Sequence, residues 1–269
     1  MVPFTTFIAC VITLLISLVL PIVALLVFAV KNKKQGIVSA WLLGAAGFFV
    51  SQILIRLPLL TFLQSQSWFA SFAKNELFMY IFSLACTAAL FELAGRLAAA
   101  GIMANNLSWK RSLAAGLGHG GIEAMLLIGM TYVNNLVYIT MINSGSFDTM
   151  LAQSAALGVD VSQLELVHEQ LVATPPVMFL LAGFERLLAM TGHIAMSALV
   201  CYGVAHKKLG VCVLACVGLH TMMDMSAGIS LVLPQNMAYP LIYTLLVIMA
   251  VVSLIILQKL RNRWGESPL

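Results

Sequence analysis

Long apolar stretches separated by polar connections dominate the chain. About 20 consecutive apolar residues are enough to cross the hydrocarbon layer of a bilayer as an α-helix. None of the stretches shows the strict alternation that membrane β-barrel strands require, so the backbone groups are expected to be satisfied within helices. The pattern predicts an all-α membrane protein with seven transmembrane helices, at residues 4–30, 37–63, 76–103, 112–141, 176–205, 211–233 and 237–260.

One connection is much longer than the others. Residues 142–175 form a polar stretch that contains four acidic residues and ends in a Thr-Pro-Pro sequence, a signal for the start of a new helix. No change in composition marks a separate soluble domain. The sequence therefore predicts a single transmembrane domain over residues 1–269, with an acidic loop at about 142–175.

Basic residues collect in alternate connections between the predicted helices. Ten of them share one side, and the opposite side carries only Lys74. Because cytoplasmic connections are enriched in Lys and Arg, the N-terminus is predicted outside and the C-terminus in the cytoplasm. The acidic loop is then external. The ten residues are Lys31, Lys33, Lys34, Lys110, Arg111, Lys207, Lys208, Lys259, Arg261 and Arg263.

The composition agrees with a membrane protein and excludes several other classes. Hydrophobic residues make up 61% of the 269 residues and charged residues only 9%, with a mean hydropathy of +1.01. Soluble domains carry about 25% charged residues. The net charge of +4 does not indicate nucleic-acid binding, because the basic residues lie at helix ends. The five cysteines contain no CxxC pair and predict no disulfide framework.

Ionisable residues also occur inside five of the predicted helices. Each costs about 2.5–3.5 kcal/mol to insert into a bilayer, so each requires a structural or functional reason. They are Arg56 in the second helix, Glu92 and Arg96 in the third, His119 and Glu123 in the fourth, Glu185, Arg186 and His193 in the fifth, and His220 and Asp224 in the sixth.

Most of these residues are predicted to lie at one depth. Counting 1.5 Å per residue from the predicted cytoplasmic ends places five of them about 18–24 Å deep, near the middle of the membrane, with His119 about one turn nearer the cytoplasm. Packing networks in membrane bundles usually use Ser, Thr, Asn or a single His, so this layer predicts a functional site. The five residues are Glu92, Glu123, His193, His220 and Asp224.

Glycines surround the histidine of the fourth helix. Gly116, Gly118, Gly120 and Gly121 flank His119. Glycine lets helix backbones approach closely, so this helix is predicted to pack tightly against its neighbours at the site.

The residues of the layer fit two mechanisms. In the first, His119, His193 and His220, or a subset of them with Asp224, bind zinc and Glu123 activates the bound water. In the second, no metal is bound; Glu123 acts directly as general base, and His193 and His220 donate hydrogen bonds to the developing oxyanion. Both stay open, with zinc as the candidate cofactor. Asp224, four residues after His220, lies on the same helix face.

Two glutamates compete for the role of general base. Glu92 is four residues from Arg96, and a carboxylate that a guanidinium holds as an anion makes a poorer base. Glu123 is flanked in sequence by histidine and glycine. We therefore predict that Glu123 is the base and that Glu92 has a structural role.

The motifs GHGGIEA, ER followed by His193, and HxxxD resemble those of the YhfC family of intramembrane metalloproteases. That family is grouped with the type II CAAX-processing and bacteriocin-processing proteases and with the seven-helix scaffold subunit of gamma-secretase. The resemblance covers nearly the whole chain. It implies that Glu123, His193, His220 and Asp224 are catalytic. Ile122 stands where the CAAX enzymes have the first of two glutamates.

We therefore expect an intramembrane peptidase of a bacterial plasma membrane that acts on membrane-embedded or membrane-associated peptide substrates. One alternative is a scaffold without catalytic activity. Another is a proton- or cation-coupled transporter, although the sequence shows none of the inverted repeats that such folds often contain. No nucleic-acid partner is expected.

Overall fold

The computed structural model describes residues 1–265, except for the side chains of residues 70, 72 and 82–84. Within this part of the chain all regular structure is helical, which confirms the predicted all-α fold. Six helices are long and apolar enough to cross a membrane. They are α1 (Phe4–Lys31), α2 (Ile37–Gln64), α4 (Trp109–Ser144), α7 (Pro176–Ala205), α8 (Leu209–Leu231) and α9 (Gln235–Arg263).

The third predicted span is helical as well, in three adjoining stretches. It begins at Glu76–Met79, passes through a π-helical stretch at Tyr80–Cys86 and continues as α3, Thr87–Ile102. Judged on the residues that the structure describes, this span is not among the six helices that are long and apolar enough to cross a membrane. The count of seven spans and the orientation of the chain therefore stay predictions.

The long connection between α4 and α7 contains two helices that the sequence did not predict. Gly145, with φ of +77°, ends α4 in the left-handed conformation. The short helices α5 (Ser146–Ala156) and α6 (Ser162–Ala173) follow. The backbone N–H of Ser162 at the start of α6 donates to the Asp160 carboxylate (2.9 Å). As the Thr-Pro-Pro sequence predicts, α7 begins at Pro176.

The chain forms two compact units. The first consists of Met1–Leu20 and Ala124–Leu187, and the second of Pro21–Glu123 and Leu188–Leu269. In the first unit, the hydroxyls of Thr13 and Tyr132 both donate to the carbonyl oxygen of Phe179, at 2.6 and 3.1 Å. The prediction of a single domain stays a prediction.

All the residues of the predicted mid-membrane layer belong to the second unit, where glycines bring the helices together. A Cβ added to Gly118 of α4 would lie 2.0 Å from the carbonyl oxygen of Trp41 in α2. One added to Gly120 would lie 2.7 Å from the Cβ of His193 in α7. The predicted role of these glycines in close helix packing is confirmed.

A second glycine pair packs α2 against α3. A Cβ added to Gly95 of α3 would lie 2.3 Å from the carbonyl oxygen of Gly47 in α2. A π-helical stretch, Phe49–Arg56, follows in α2 and carries Gln52 and Arg56, both buried. Such stretches occur frequently at functional sites, and here the stretch brings two polar side chains towards α3.

Reporter fusions at four positions test the topology. We expect fusions at Lys34 and Asn106 to report a cytoplasmic location, and fusions at Lys74 and Asp160 an external one. Alkaline phosphatase and fluorescent-protein activities at each position provide the measurement. If the helix between Lys74 and Asn106 does not cross the membrane, both fusions will report the same side, and the prediction of seven spans is then wrong.

Candidate metal centre

The carboxylate of Glu92 lies at the centre of the buried polar cluster. Its Oε2 atom is 2.8 Å from Nε2 of His220, 3.0 Å from Nε2 of His119 and 3.1 Å from a terminal guanidinium nitrogen of Arg96. Its Oε1 atom accepts a hydrogen bond of 2.9 Å from the side-chain amide of Gln52. Glu92 itself is only 4% exposed. Both of its oxygens are therefore occupied by donors from four helices.

Gln52 is held in turn by a chain of hydrogen bonds between α2 and α3. Its amide nitrogen also donates to the carbonyl oxygen of Ala88 (3.3 Å), and its amide oxygen accepts from Arg56 (2.8 Å). The Nε atom of Arg56 donates to the hydroxyl of Thr87 (2.9 Å). These contacts fix the rotamer of Gln52, so its N–H group points at Glu92.

His193 connects the two glutamates of the site. Its Nδ1 atom is 2.7 Å from the Arg96 guanidinium and 3.6 Å from Oε2 of Glu92, and its Nε2 atom is 2.7 Å from Oε2 of Glu123. A guanidinium can only donate hydrogen bonds, so Nδ1 of His193 is the acceptor in this arrangement. The ring proton is then on Nε2, where it faces the Glu123 carboxylate.

The three histidine rings pack against one another. The ring centroids of His119 and His193 are 5.5 Å apart with nearly parallel planes, and those of His193 and His220 are 5.5 Å apart with perpendicular planes. The ring of Phe48 meets His119 edge-on, also at 5.5 Å. This packing fixes the ring orientations and keeps the side chain of His119 99% buried.

The other two carboxylates are more accessible than Glu92. The Oδ2 atom of Asp224 is 3.0 Å from Nδ1 of His220, and the Tyr80 hydroxyl donates to the Asp224 carbonyl oxygen (2.8 Å). The Asp224 side chain is 34% exposed and that of Glu123 13%, against 5% for Glu92. Glu123 and Asp224 are therefore the more exposed carboxylates of the cluster.

Comparisons with known proteins identify a family and a relative of the chain. The family model described as YhfC intramembrane metalloprotease matches residues 16–258, a range that contains every residue of the cluster. The chain belongs to the YhfC family. A relative from Bacillus subtilis (strain 168), described as uncharacterized membrane protein YhfC, is 32% identical over 195 residues, which cover 72% of this chain and 73% of the relative. No solved structure matches.

Membership of the YhfC family and the apolar helices make the chain an integral membrane protein. The Bacillus relative is consistent with the predicted location in a bacterial plasma membrane. The family description also supports the coarse functional prediction of an intramembrane metalloprotease.

The donor atoms of this YhfC chain fit a metal ion. Three residues, Glu92, His119 and His193, each offer one ligand atom, and these three atoms lie within 4.8 Å of one another. Ligands bound tetrahedrally to zinc at about 2.1 Å lie roughly 3.4 Å apart, so this set would close around an ion if the side chains moved together and Nδ1 of His193 gave up its contact with Arg96. One carboxylate with two imidazoles is also a common donor set in catalytic zinc sites.

The structure brings together all the predicted site residues of the YhfC chain. His119, Glu123, His193, His220 and Asp224 form one connected cluster. The predicted pairing of Glu92 with Arg96 is also present, at 3.1 Å. Their catalytic and metal-binding roles stay predictions.

Sequence reasoning missed two contributions to the cluster. It placed Glu92 in a structural role, whereas the structure puts this carboxylate at the point where the histidines meet. It also did not consider Gln52, which orients Glu92. The polar pair Gln52 and Arg56, four residues apart in an apolar helix, was the signal that could have found it.

Replacement of Glu92 tests the dependence of the cluster on this carboxylate. Glu92→Leu leaves the Arg96 guanidinium buried without its anion, a change that costs about 3–5 kcal/mol in soluble proteins. We expect a clearly lower thermal midpoint in detergent with a chelator present, so that loss of metal does not contribute. The double variant Glu92→Leu/Arg96→Met should recover most of the loss, because no charge of the pair is then left. Equal instability of the single and double variants would contradict this assignment.

Proposed function

We propose that the chain is an intramembrane metallopeptidase that hydrolyses peptide bonds of membrane-embedded or membrane-associated substrates. The observation that carries the proposal is the convergence of His119, His193 and His220 on the buried Glu92 carboxylate, with Glu123 on the far nitrogen of His193. The family description supports the same activity.

Zinc is the proposed metal, held by Glu92, His119 and His193. These three residues offer ligand atoms within 4.8 Å of one another, and imidazole with carboxylate is a donor set that zinc accepts. We propose Glu92 in place of His220, the third histidine that the sequence predicted, because the ligand atoms within 4.8 Å of one another include Glu92 and not His220. A bound zinc ion supplies Lewis-acid chemistry, which polarises a carbonyl group and stabilises negative charge.

Glu123 is the proposed general base. Both oxygens of Glu92 already accept hydrogen bonds, whereas the Glu123 side chain is more exposed than that of Glu92. Its Oε2 atom contacts Nε2 of His193, which holds the carboxylate in position. Glu123 would take a proton from the attacking water and later deliver it to the leaving amine.

His220 and Asp224 are proposed to act on the substrate carbonyl. His220 would donate a hydrogen bond to the developing oxyanion. Asp224, 3.0 Å from Nδ1, would accept a hydrogen bond from that nitrogen and stabilise the imidazolium form of His220, which has a second N–H to donate. Since Glu123 and Asp224 are the more exposed groups, the substrate bond is proposed to enter from their side.

Glu123→Gln tests the proposed base. The variant keeps the size and polarity of the side chain but removes its basicity, so we expect cleavage to fall at least about 100-fold. Cleavage of a library of single-span peptides in proteoliposomes provides the measurement. Metal content and thermal midpoint should stay at wild-type values. Glu185→Gln, which changes a glutamate paired with Arg186 in the other unit, is the matched control and should stay active.

Two outcomes would contradict the proposal. Full activity of Glu123→Gln would exclude this residue as the base. If the wild-type protein binds zinc but cleaves no peptide of the library, the scaffold alternative replaces the peptidase.

A further inference from the structure

A small cavity lies beside the cluster, next to His119 in the second unit. It has a volume of about 10 Å³. Such a volume is about what one water molecule requires. The cavity lies between α2, α3, α4 and α7, and its lining consists of Gly44, Arg96, Ala99, Ala115, His119, Ser197 and Cys201.

Three of the lining residues carry buried polar atoms that have no hydrogen-bond partner in the described part of the chain. They are Nδ1 of His119, the hydroxyl oxygen of Ser197, and the Nε and one terminal nitrogen of Arg96. All three residues are at least 97% buried. Arg96 uses its other terminal nitrogen for Glu92 and His193. Because buried polar atoms in proteins are nearly always hydrogen-bonded, three such residues around one cavity indicate a bound molecule.

We propose that this cavity is a binding site for a single water molecule, which links Arg96 and Ser197 to Nδ1 of His119. A water molecule can donate two hydrogen bonds and accept two, and buried water typically makes about three. Arg96 can only donate, Ser197 can donate or accept, and the role of His119 depends on its tautomer. A single water molecule can accept from Arg96 and can donate to or accept from Ser197 and His119. An anion can only accept, so it would suit only the tautomer of His119 that carries the proton on Nδ1.

The water would make Ser197 a positioning residue for His119. A histidine that binds a metal almost always donates its other ring N–H to a carboxylate, a carbonyl or water. Of the two proposed histidine ligands, His193 has Glu123 in this place, but His119 has the cavity. If a metal replaces the Nε2 proton that faces Glu92, the water would accept from Nδ1 of His119 and so keep the Nε2 lone pair directed at the metal. This role rests on the proposed metal site; the water site itself does not.

Ser197→Ala tests the positioning role. We expect the affinity for zinc, measured by competition with a chelator in detergent, to fall about 10-fold, the lower end of the effect of such outer contacts. Ser253→Ala is the matched control: Ser253 is fully buried in α9 of the same unit, but its hydroxyl donates to the carbonyl oxygen of Met249 (2.8 Å). The control should bind zinc like the wild type.

An experimental structure at a resolution that shows ordered water tests the site directly. We expect one solvent peak within hydrogen-bond distance of Ser197 and of Nδ1 of His119, and its loss or displacement in Ser197→Ala. An empty cavity, or a halide in its place, would overturn the water site. A solvent peak together with unchanged zinc affinity in Ser197→Ala would overturn the positioning role. If the wild type binds no zinc, the proposed function fails, and the solvent peak still decides the water site.

Discussion

A carboxylate buried among apolar helices is stable only if donors surround it, because the surroundings offer little other compensation for its charge. Glu92 meets this condition with Arg96 one turn away, with His119 and His220, and with the amide of Gln52. These four donors come from four different helices. The requirement to satisfy one buried anion therefore fixes how α2, α3, α4 and α8 are rotated relative to one another within the second unit.

Close packing of the helices brings these donors within hydrogen-bond distance of Glu92. The glycines of α4 let its backbone touch α2 and α7, which places His119 beside His193. The glycine pair between α2 and α3 similarly places Gln52 within reach of Glu92. Polar residues that surround Glu92 are almost fully enclosed, while Glu123 and Asp224 are more open. The same packing thus separates a buried charged centre from the carboxylates that a substrate could meet.

The apolar pattern predicted the helices well, because the bilayer dictates their length and character. The bounds of α7 match the prediction, whereas α4 extends to Ser144 and two short helices occupy the predicted acidic loop. The polar residues of that loop indicate that it is exposed to solvent, and an exposed segment can still form a helix. The spacing of His119 from Glu123 and of His220 from Asp224 predicted shared helix faces. Spacing within one helix says nothing about rotation between helices, so the central place of Glu92 could not be predicted.

The metal content of the purified protein tests the central claim, that this cluster is a metal centre, most directly. Protein purified without chelators should contain about one zinc ion per chain, coordinated by nitrogen and oxygen ligands in X-ray absorption spectra. His119→Ala should lose most of this zinc. His206→Ala, which removes a histidine stacked on Tyr202 away from the cluster, should retain it. A metal-free wild-type protein that cleaves peptides, or full zinc occupancy in His119→Ala, would contradict the account.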